Sequence, residues 1–349
     1  MMRHIKLLTL IAFVSLAVAG VTSCSSTGEP QPEYSGTPLI ILDTDIGSST
    51  DDLFALELLY RYEQQGHCKL LGVVVDRMGE QCAAVADVMN TYFGRDDVPI
   101  GLVRNGIPSP KVWIDYGALP SYADEEGNRL FRRSVADYST LPDGWQLYRR
   151  LLAAQPDGSV TICSIGFVTS LAQLLASGPD EYSALSGVEL VRSKVKCLYL
   201  MGGVFGKSVE PDFNFAQGLN FAHEFFKLWP GDIDIVFSPM EVGQEIEYKP
   251  EQVLADINWT DVHPIKQVYA RCNCNTGQMM WDPITIINAV ESDESLTLSQ
   301  RGTVELTSNA ETIFTPNAQG NCRYQLPGSD DWNAAILKKI RAATIAFKK

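Results

Sequence analysis

Short apolar runs alternate with amphipathic segments along most of this chain. The apolar runs lie at residues 39–42, 70–75, 98–102, 160–163, 195–200 and 233–237. Between them the apolar residues recur at helical spacing, as in 51–64, where Leu53, Leu56 and Tyr60 fall on one face. Such alternation predicts an α/β fold, in which a mainly parallel sheet is flanked by helices on both faces.

The composition excludes some classes of function for this chain. Hydrophobic residues make up 45% of the chain, which is enough for a large core, and no repeat or linker divides residues 38–349, so we expect one domain. The net charge is −14, from 28 basic and 42 acidic residues. This balance argues against a nucleic-acid binder and against adhesion to an anionic membrane through a basic face. It is compatible with cation binding and equally with an ordinary solvated surface.

The N-terminal segment has the pattern of an export signal. A basic start precedes an apolar run over 7–21 that is shorter than a comfortable membrane span. The run ends in Val-Thr-Ser-Cys24, which resembles a bacterial lipoprotein box. We therefore predict a signal peptide over 1–23, lipid attachment at Cys24 and a flexible tether over 24–37. The protein would then be anchored to a membrane, in the periplasm or on the outer membrane. An ordinary cleaved signal with an incidental cysteine is the alternative.

Cysteine and histidine are not arranged as zinc ligands. Of eight cysteines, seven remain beyond Cys24, none in a CxxC pair, and the four histidines lie far apart in sequence. An odd number of cysteines in an exported protein leaves at least one free thiol. A zinc site built from these residue types is therefore disfavoured.

Carboxylates are concentrated where the first strand ends. Asp43 and Asp45 close the strand, and Asp51 and Asp52 open the next helix, so four carboxylates lie within ten residues. Either pair alone has a simple explanation, in strand termination or in the helix dipole. Together they repel unless a cation joins them, and oxygen ligands favour a hard ion such as Ca²⁺. Because ligands of parallel sheets bind beyond the carboxyl ends of the strands, we predict a cation site here.

Further segments in this chain complete a pattern that resembles the inosine–uridine nucleoside hydrolase family. LDTDIGSSTDDLFAL (42–56) looks like the family's opening motif, and SIGFVTSLAQLL (164–175) is similar to its xGPLTNLA segment. LYLMGG (198–203), PDFNF (211–215) and WDP (281–283) are similar to its hMGG, EFN and (H/W)DP motifs. The motifs occur in the family's order from about residue 39 to 290, which implies a Rossmann-like nucleoside hydrolase fold.

The resemblance also implies a site. A tightly bound Ca²⁺ would be held by the carboxylates of Asp45, Asp52 and Asp282 and by the backbone carbonyl of Ile165, with two ribose hydroxyls and one water. Substrate contacts would come from Asp51, on a ribose hydroxyl, from Asn214, on the sugar, and from Asp212, which stands where the family usually has Glu, near the ribose 5′ end. Asp43 would orient the loop.

The activity implied is Ca²⁺-dependent hydrolysis of the N-glycosidic bond of ribonucleosides, for nucleoside salvage. The cation would lower the pKa of a water, and Asp45 would take its proton as general base. Nearby carboxylates would stabilise the oxocarbenium-like state at C1′. Many family members protonate the leaving base with a histidine, where this chain has Trp281. As in the purine-specific branch, Trp281 would stack on a purine, with Trp113 as a candidate second face; either could instead be an ordinary structural aromatic.

The chain departs from the family pattern mainly at substrate contacts. Residues 48–50 fill a place where one residue is usual, and the segment after the second strand, 76–80, lacks a sugar-contacting Asn. A non-catalytic Ca²⁺-dependent lipoprotein that binds ribosides or polyols therefore stays open. A haloacid-dehalogenase-like phosphatase would explain Asp43-Thr-Asp45 but not Asp51 and Asp52. The sequence leaves open the preferred base, homo-oligomer formation, and whether residues 107–143 cover the substrate.

Overall fold

A nine-stranded sheet runs through the part of the chain that this computed structural model describes, residues 36–207, 209–291 and 296–346. The predicted signal peptide over 1–23, Cys24 and all but the last two residues of the predicted tether lie outside these residues. No helix in the described ranges is long and apolar enough to cross a bilayer.

Strands and helices alternate as the hydrophobic pattern predicts. The strands are β1 Leu39–Thr44, β2 Lys69–Val75, β3 Ile100–Leu102, β4 Val160–Ser164, β5 Val195–Met201, β6 Asp234–Ser238, β7 Glu247–Tyr248, β8 Gln278–Met279, β9 Gly302–Leu306, β10 Thr312–Pro316 and β11 Cys322–Tyr324. The helices are α1 Asp51–Gln64, α2 Glu80–Tyr92, α3 Gly144–Ala153, α4 Thr169–Ala176, α5 Gly187–Lys194, α6 Phe213–Gln217, α7 Leu219–Leu228, α8 Met240–Gly243, α9 Pro250–Asp256, α10 Pro264–Arg271, α11 Trp281–Glu291 and α12 Asp330–Ala346.

The large sheet has the strand order β10-β9-β11-β6-β5-β4-β1-β2-β3. Strands β1 to β6 and β11 pair in parallel, which confirms the mainly parallel sheet. Strand β9 pairs antiparallel with β10 and with β11, an arrangement at one edge that the strand–helix pattern did not predict. β7 and β8 form a separate two-stranded sheet.

Strand β1 lies in the middle of the core, with all six residues buried. Ile40 and Leu42 belong to one apolar cluster, to which α1, α2 and α11 contribute. Leu39 and Ile41 belong to a second cluster, to which α3, α4 and α7 contribute. Because successive strand residues point to opposite faces, a strand buried on both faces is a continuous apolar run.

The chain changes direction across the sheet at β1. It passes from β1 to β2 and β3 on one side and then returns to β4, β5 and β6 on the other. The point between β1 and β4 is therefore a topological switch point, beside which a crevice opens at the carboxyl ends of the strands. The segments that leave β1 and β4 there begin with Asp45 and Ile165.

Candidate active site at the carboxyl edge of the sheet

One cavity of about 610 Å³ opens at this edge and contains every site residue predicted from sequence. Those residues are Asp45, Asp51, Asp52, Trp113, Ile165, Asp212, Asn214, Trp281 and Asp282. Apolar side chains of Met201, Phe213, Met240 and Met279 also line its wall. Residues far apart in sequence thus converge on a single concave site, as expected for a ligand pocket.

Three carboxylates form the most concentrated charge in the cavity. Asp51, Asp52 and Asp282 each offer one carboxylate oxygen, and these oxygens lie within 4.8 Å of one another. Asp51 and Asp52 open α1 and Asp282 lies in the first turn of α11, so the packing of two helices brings them together. All three are buried. The predicted contact of Asp51 with a ribose hydroxyl stays a prediction; its carboxylate lies with those of Asp52 and Asp282 in this triad.

The triad carries more negative charge than its surroundings offset. Burial raises the pKa of Asp51 from 3.8 to about 7. Burial and the neighbouring carboxylates raise the pKa values of Asp52 and Asp282 well above their ordinary range. The Thr44 hydroxyl donates to Asp52 Oδ1 at 2.5 Å, but a hydroxyl brings no net charge. A buried set of carboxylate oxygens of this kind fits a hard divalent cation such as Ca²⁺.

Asp45 lies beside the triad and forms a buried ion pair; its predicted role as a cation ligand stays a prediction. Arg77 donates from Nη2 to Asp45 Oδ2 at 2.8 Å and from Nε to the Asp45 carbonyl oxygen at 2.8 Å. Sequence reasoning treated the 76–80 segment only as a lost substrate contact and missed this pair. The sequence shows that Arg77 follows β2, but only the strand order, in which β2 is the neighbour of β1, places it at the same edge of the sheet as Asp45.

The loop between β1 and α1, residues 45–50, is called the acidic loop here. Its extra residues, 48–50, are bound to the segment after β3. Tyr116 accepts from the Gly47 amide at 2.8 Å and donates to the Ser49 carbonyl oxygen at 2.6 Å. The Ser48 carbonyl oxygen accepts from the Ile114 amide, and the Ser48 hydroxyl accepts from the Trp113 amide. Part of the 107–143 segment therefore supports the acidic loop directly, a role that the sequence had left open.

Gln278 of β8 fastens the same loop from the opposite side. Its Oε1 accepts from the Thr50 amide at 3.3 Å and from the Thr50 hydroxyl at 3.1 Å. Its Nε2 donates to Ser49 Oγ at 3.0 Å and to Asp51 Oδ1 at 3.2 Å. Gln278 is buried and lines the cavity. No motif marked it in the sequence.

Two further acids lie behind the cavity. Asp43 is fully buried and accepts from the Tyr148 hydroxyl of α3 at 2.9 Å, and burial together with Asp76 raises its pKa. Asp76 accepts from the Thr169 and Ser170 amides at the start of α4, at 2.7 and 2.9 Å. Burial raises the pKa of Asp76 to about 8. These acids connect β1, β2 and α4 beneath the loop rather than contact the cavity.

Asp212 and Asn214 lie on another wall of the cavity. Asp212 accepts from the Gly203 amide at Oδ2 and from the Phe215 amide at Oδ1, both at 2.8 Å. Burial raises its pKa to about 6. Asn214 Nδ2 lies 3.5 Å from the Met201 carbonyl oxygen. Both oxygens of Asp212 are thus engaged by backbone amides, and the Asn214 amide group donates to a backbone carbonyl.

Trp281 and Trp113 contribute to the cavity in different ways. Trp281 opens α11, donates from Nε1 to the Met240 carbonyl oxygen at 3.1 Å and packs on Gly243, where an added Cβ would lie 2.4 Å from its Cδ1. Trp113 is 60% exposed, with Lys111 Nζ 3.3 Å from its ring centroid and the Phe213 ring at 6.0 Å. Trp281 is therefore a fixed part of the cavity wall, and Trp113 is an exposed part of its rim.

Ile165 stands at the end of β4, next to the acidic loop. Its amide donates to the Asp43 carbonyl oxygen at 2.7 Å. An added Cβ on the following residue, Gly166, would lie 2.5 Å from the Asp45 amide nitrogen. The absence of a side chain at Gly166 lets the segments after β1 and β4 approach this closely. Among the described residues that line the cavity, none is histidine, lysine or arginine.

The chain matches one protein-family model over most of its length. The family model described as inosine-uridine preferring nucleoside hydrolase matches residues 40–344. No curated protein sequence matches the chain.

Among solved structures, a plant nucleoside hydrolase is 15% identical, covers 89% of this chain and 99% of its own, and has a TM-score of 0.66. A purine-preferring ribonucleoside hydrolase from Gardnerella vaginalis is 13% identical over 88% and 99%, with a TM-score of 0.63. An inosine-uridine preferring nucleoside hydrolase from Bacillus anthracis is 16% identical over 88% and 99%, with a TM-score of 0.64.

Proposed function

Because the chain belongs to the inosine–uridine preferring nucleoside hydrolase family, we propose that it hydrolyses the N-glycosidic bond of ribonucleosides with the aid of Ca²⁺. The products are the free base and ribose, which serve nucleoside salvage. The observation that carries this proposal is the buried triad of Asp51, Asp52 and Asp282 in the wall of a cavity of about 610 Å³.

The triad and its surroundings supply the ligands for the cation. Asp51, Asp52 and Asp282 would provide carboxylate oxygens, and Ile165, which lines the same cavity, would provide a backbone carbonyl. Ca²⁺ suits this set because it accepts irregular shells of oxygen ligands. A bound cation of this kind offsets the carboxylate charge and makes a nearby water more acidic.

Asp45 is the residue that receives the proton. It lines the cavity, and Arg77 holds its Oδ2, so Oδ1 is the oxygen through which it can act as general base. The water oxygen bonds to C1′ of the ribose as the bond from C1′ to the base nitrogen breaks. The triad carboxylates favour the positive charge that develops on the sugar ring in this step.

The apolar wall supports a purine as the preferred base. Trp281, Met201 and Met240 present flat or flexible apolar surface, which suits stacking against a large aromatic ring. Because the indole N–H of Trp281 is engaged by a backbone carbonyl, its contribution is stacking and not proton donation. The base takes its proton from solvent.

The charge of the cavity favours nucleosides over nucleotides. Five aspartates line it, and no lysine or arginine among the described residues does so. A phosphate group placed beside these carboxylates would find no cationic side chain among the described residues that line the cavity.

The test is product release from a panel of substrates. The purified protein is incubated with Ca²⁺ and inosine, adenosine, guanosine, uridine or p-nitrophenyl phosphate, and base, ribose and phosphate are measured. We expect base and ribose in equal amounts, lost on EDTA treatment and restored by Ca²⁺. Asp282→Asn should lower kcat/KM by a factor of about 100 or more. Asp261→Asn, at a side chain that is 96% exposed, is the matched control and should retain activity.

One observation favours a second candidate, a Ca²⁺-dependent riboside-binding protein without turnover. The ion pair with Arg77 occupies one oxygen of Asp45, the residue that must accept the proton. Riboside binding in calorimetry, dependent on Ca²⁺ but with no base released, would establish this alternative and refute hydrolysis. Release of phosphate alone would instead point to the phosphatase class.

We also propose that the protein is exported and anchored to a bacterial membrane through a lipid on Cys24. The proposal depends on the sequence pattern of residues 1–24 alone. Incorporation of a labelled fatty acid into the parental chain, and its loss in Cys24→Ser, would support it. Equal labelling of both chains, or none in either, would contradict it.

A further inference from the structure

Arg77 is a buried cation next to the acid cluster, which consists of Asp45, Asp51, Asp52 and Asp282. Substrate binding does not explain this position. Its side chain is only 3% exposed, and it is not among the residues that line the cavity. Nε and Nη2 donate to the carbonyl and carboxylate oxygens of Asp45, and Nη1 donates to the Lys111 carbonyl oxygen at 3.2 Å. The guanidinium carbon lies 5.0 Å from the centroid of the Phe167 ring. The group is therefore fixed on several sides.

The charge of Arg77 acts on Asp52 as well as on its ion-pair partner Asp45. Four carboxylates surround this end of β1, namely those of Asp45, Asp51, Asp52 and Asp282, and they raise one another's pKa. The guanidinium opposes this effect, since it lowers the pKa of Asp45 and, to a smaller extent, that of Asp52 against the larger effect of burial. In the described residues, Arg77 is the basic side chain that forms an ion pair with this group of acids.

We propose that Arg77 is a resident counter-ion of the acid cluster, which keeps Asp45 in place without a divalent cation and weakens the binding of that cation. This inference rests on the proposed Ca²⁺ site but not on nucleoside turnover. Arg77 is a positioning residue in this scheme, because it acts through Asp45 and through the charge of the cluster.

Two physical effects follow from a fixed guanidinium at this place. A buried carboxyl group without a partner is strongly destabilising, so the hydrogen bonds from Arg77 hold Asp45 in place in the cation-free protein. A cation that enters the triad is then repelled by a positive charge that is already present, through a medium that screens poorly. The site is therefore preformed, at the cost of affinity.

Arg77 also anchors a loop, and this second role must be separated from its charge. Its Nη1 shares the Lys111 carbonyl oxygen with the Ser48 hydroxyl, which donates to it at 3.2 Å. Ser48→Ala loosens the same anchor without a change of charge. Arg77→Lys keeps the charge but cannot reproduce the planar set of donors. Arg77→Gln removes the charge and keeps an amide donor.

The experiment measures Ca²⁺ binding and thermal stability, with no nucleoside present. The parental protein and the three variants are stripped with EDTA, and Ca²⁺ is titrated by calorimetry. We expect Arg77→Gln to bind Ca²⁺ at least about tenfold more tightly than the parental protein. Arg77→Lys and Ser48→Ala should remain within about threefold of it or bind more weakly. Without Ca²⁺, Arg77→Gln should melt several degrees lower, and Ca²⁺ should raise its Tm by more than it raises the parental Tm.

If the parental protein binds Ca²⁺ and Arg77→Gln binds it equally or more weakly, the inference is overturned and the proposed function stays intact. A tenfold gain in Ser48→Ala would also overturn it, because the loop anchor and not the charge would then set the affinity. If neither the parental protein nor Arg77→Gln binds Ca²⁺, the proposed cation site fails as well. Should Arg77→Gln not fold, Arg77→Met, which removes the charge and keeps an unbranched side chain, takes its place with the same expectations.

Discussion

The side-chain amide of Gln278 donates to the carboxylate of Asp51 at 3.2 Å, although 227 residues separate them in sequence. The same amide donates to Ser49, and its oxygen accepts from Thr50. Gln278, together with the Ser49 hydroxyl, thus holds the one triad carboxylate that sequence had assigned to substrate. The geometry of the triad depends on β8 as well as on the helices that carry the acids.

Replacement of Gln278 should therefore impair the site more than the fold. In Gln278→Met the volume is retained, but Asp51 and Thr50 lose their hydrogen bonds with Gln278, and we expect kcat/KM to fall about tenfold, the worth of one to two hydrogen bonds. Ca²⁺ affinity by calorimetry should fall with it. Gln319→Met, at an exposed position, is the control. Unchanged Ca²⁺ affinity in Gln278→Met would show that Asp51 holds its position without this contact.

The raised pKa of Asp51 makes the stability of the cation-free protein depend on pH. The pKa is about 7 in the folded chain against an ordinary value of 3.8, so the folded state binds the extra proton between these values. This group's contribution to stability is fully present below about pH 4 and is lost as pH rises to about 7. We expect the Tm of the EDTA-treated parental protein to fall, relative to that of Asp51→Asn, across this window and then to level off.

Added Ca²⁺ supplies the check on that prediction. The cation binds the ionised carboxylates, so the increase in Tm that it causes should grow from pH 4 to pH 7. A Tm difference between the parental protein and Asp51→Asn that does not change with pH would contradict the assignment of a raised pKa to this carboxyl.

Gly243 keeps room for the indole of Trp281. An added Cβ would lie 2.4 Å from Trp281 Cδ1 and 2.6 Å from its Cα, closer than such atoms approach in proteins. Gly243→Ala should displace the ring, cost about 1–3 kcal/mol of stability through overpacking, and lower kcat/KM for inosine more than for uridine. Gly231→Ala, where nothing lies within 4 Å of the added Cβ, is the matched control. Equal losses for the two substrates would count against base stacking by Trp281.

Asp212 is predicted to be a weak determinant of substrate choice. Both of its carboxylate oxygens accept backbone amides, those of Gly203 and Phe215, at 2.8 Å. A site that bound the ribose 5′-hydroxyl through this acid would reject a substrate without that hydroxyl by a large factor. We instead expect 5′-deoxyinosine and inosine to differ in kcat/KM by no more than about threefold. A preference of a hundredfold for inosine would show that Asp212, or another group, does bind the hydroxyl.

The parallel sheet and the converging site could be predicted because both depend on short-range patterns. The residues of β1, β2 and β4 are apolar runs typical of strands buried on both faces, and the acids follow β1 directly. The edge strands β9 and β10 were missed because their residues are mixed in exposure and lack a continuous apolar run. Antiparallel pairs at a sheet edge carry a weaker signal than buried parallel strands.

The partners of the acids could not be predicted in the same way. Asp45 meets Arg77 because β1 and β2 are neighbours, and that required the strand order. Tyr116 and Gln278 reach the acidic loop from segments whose paths no local pattern fixes. Sequence therefore identified which side chains share the cavity, whereas the division of the acids into a triad and an ion pair required three-dimensional packing.

The fastening of the acidic loop by Tyr116 and Gln278 has a kinetic consequence. These contacts join residues separated by 67 to 229 positions, so the loop is complete only after distant parts of the chain have come together. We expect the triad to form after the rate-limiting step of folding, so that a ligand bound there stabilises the native state and not the transition state. Ca²⁺ should accordingly lengthen the lifetime of the folded protein while its refolding rate stays nearly constant.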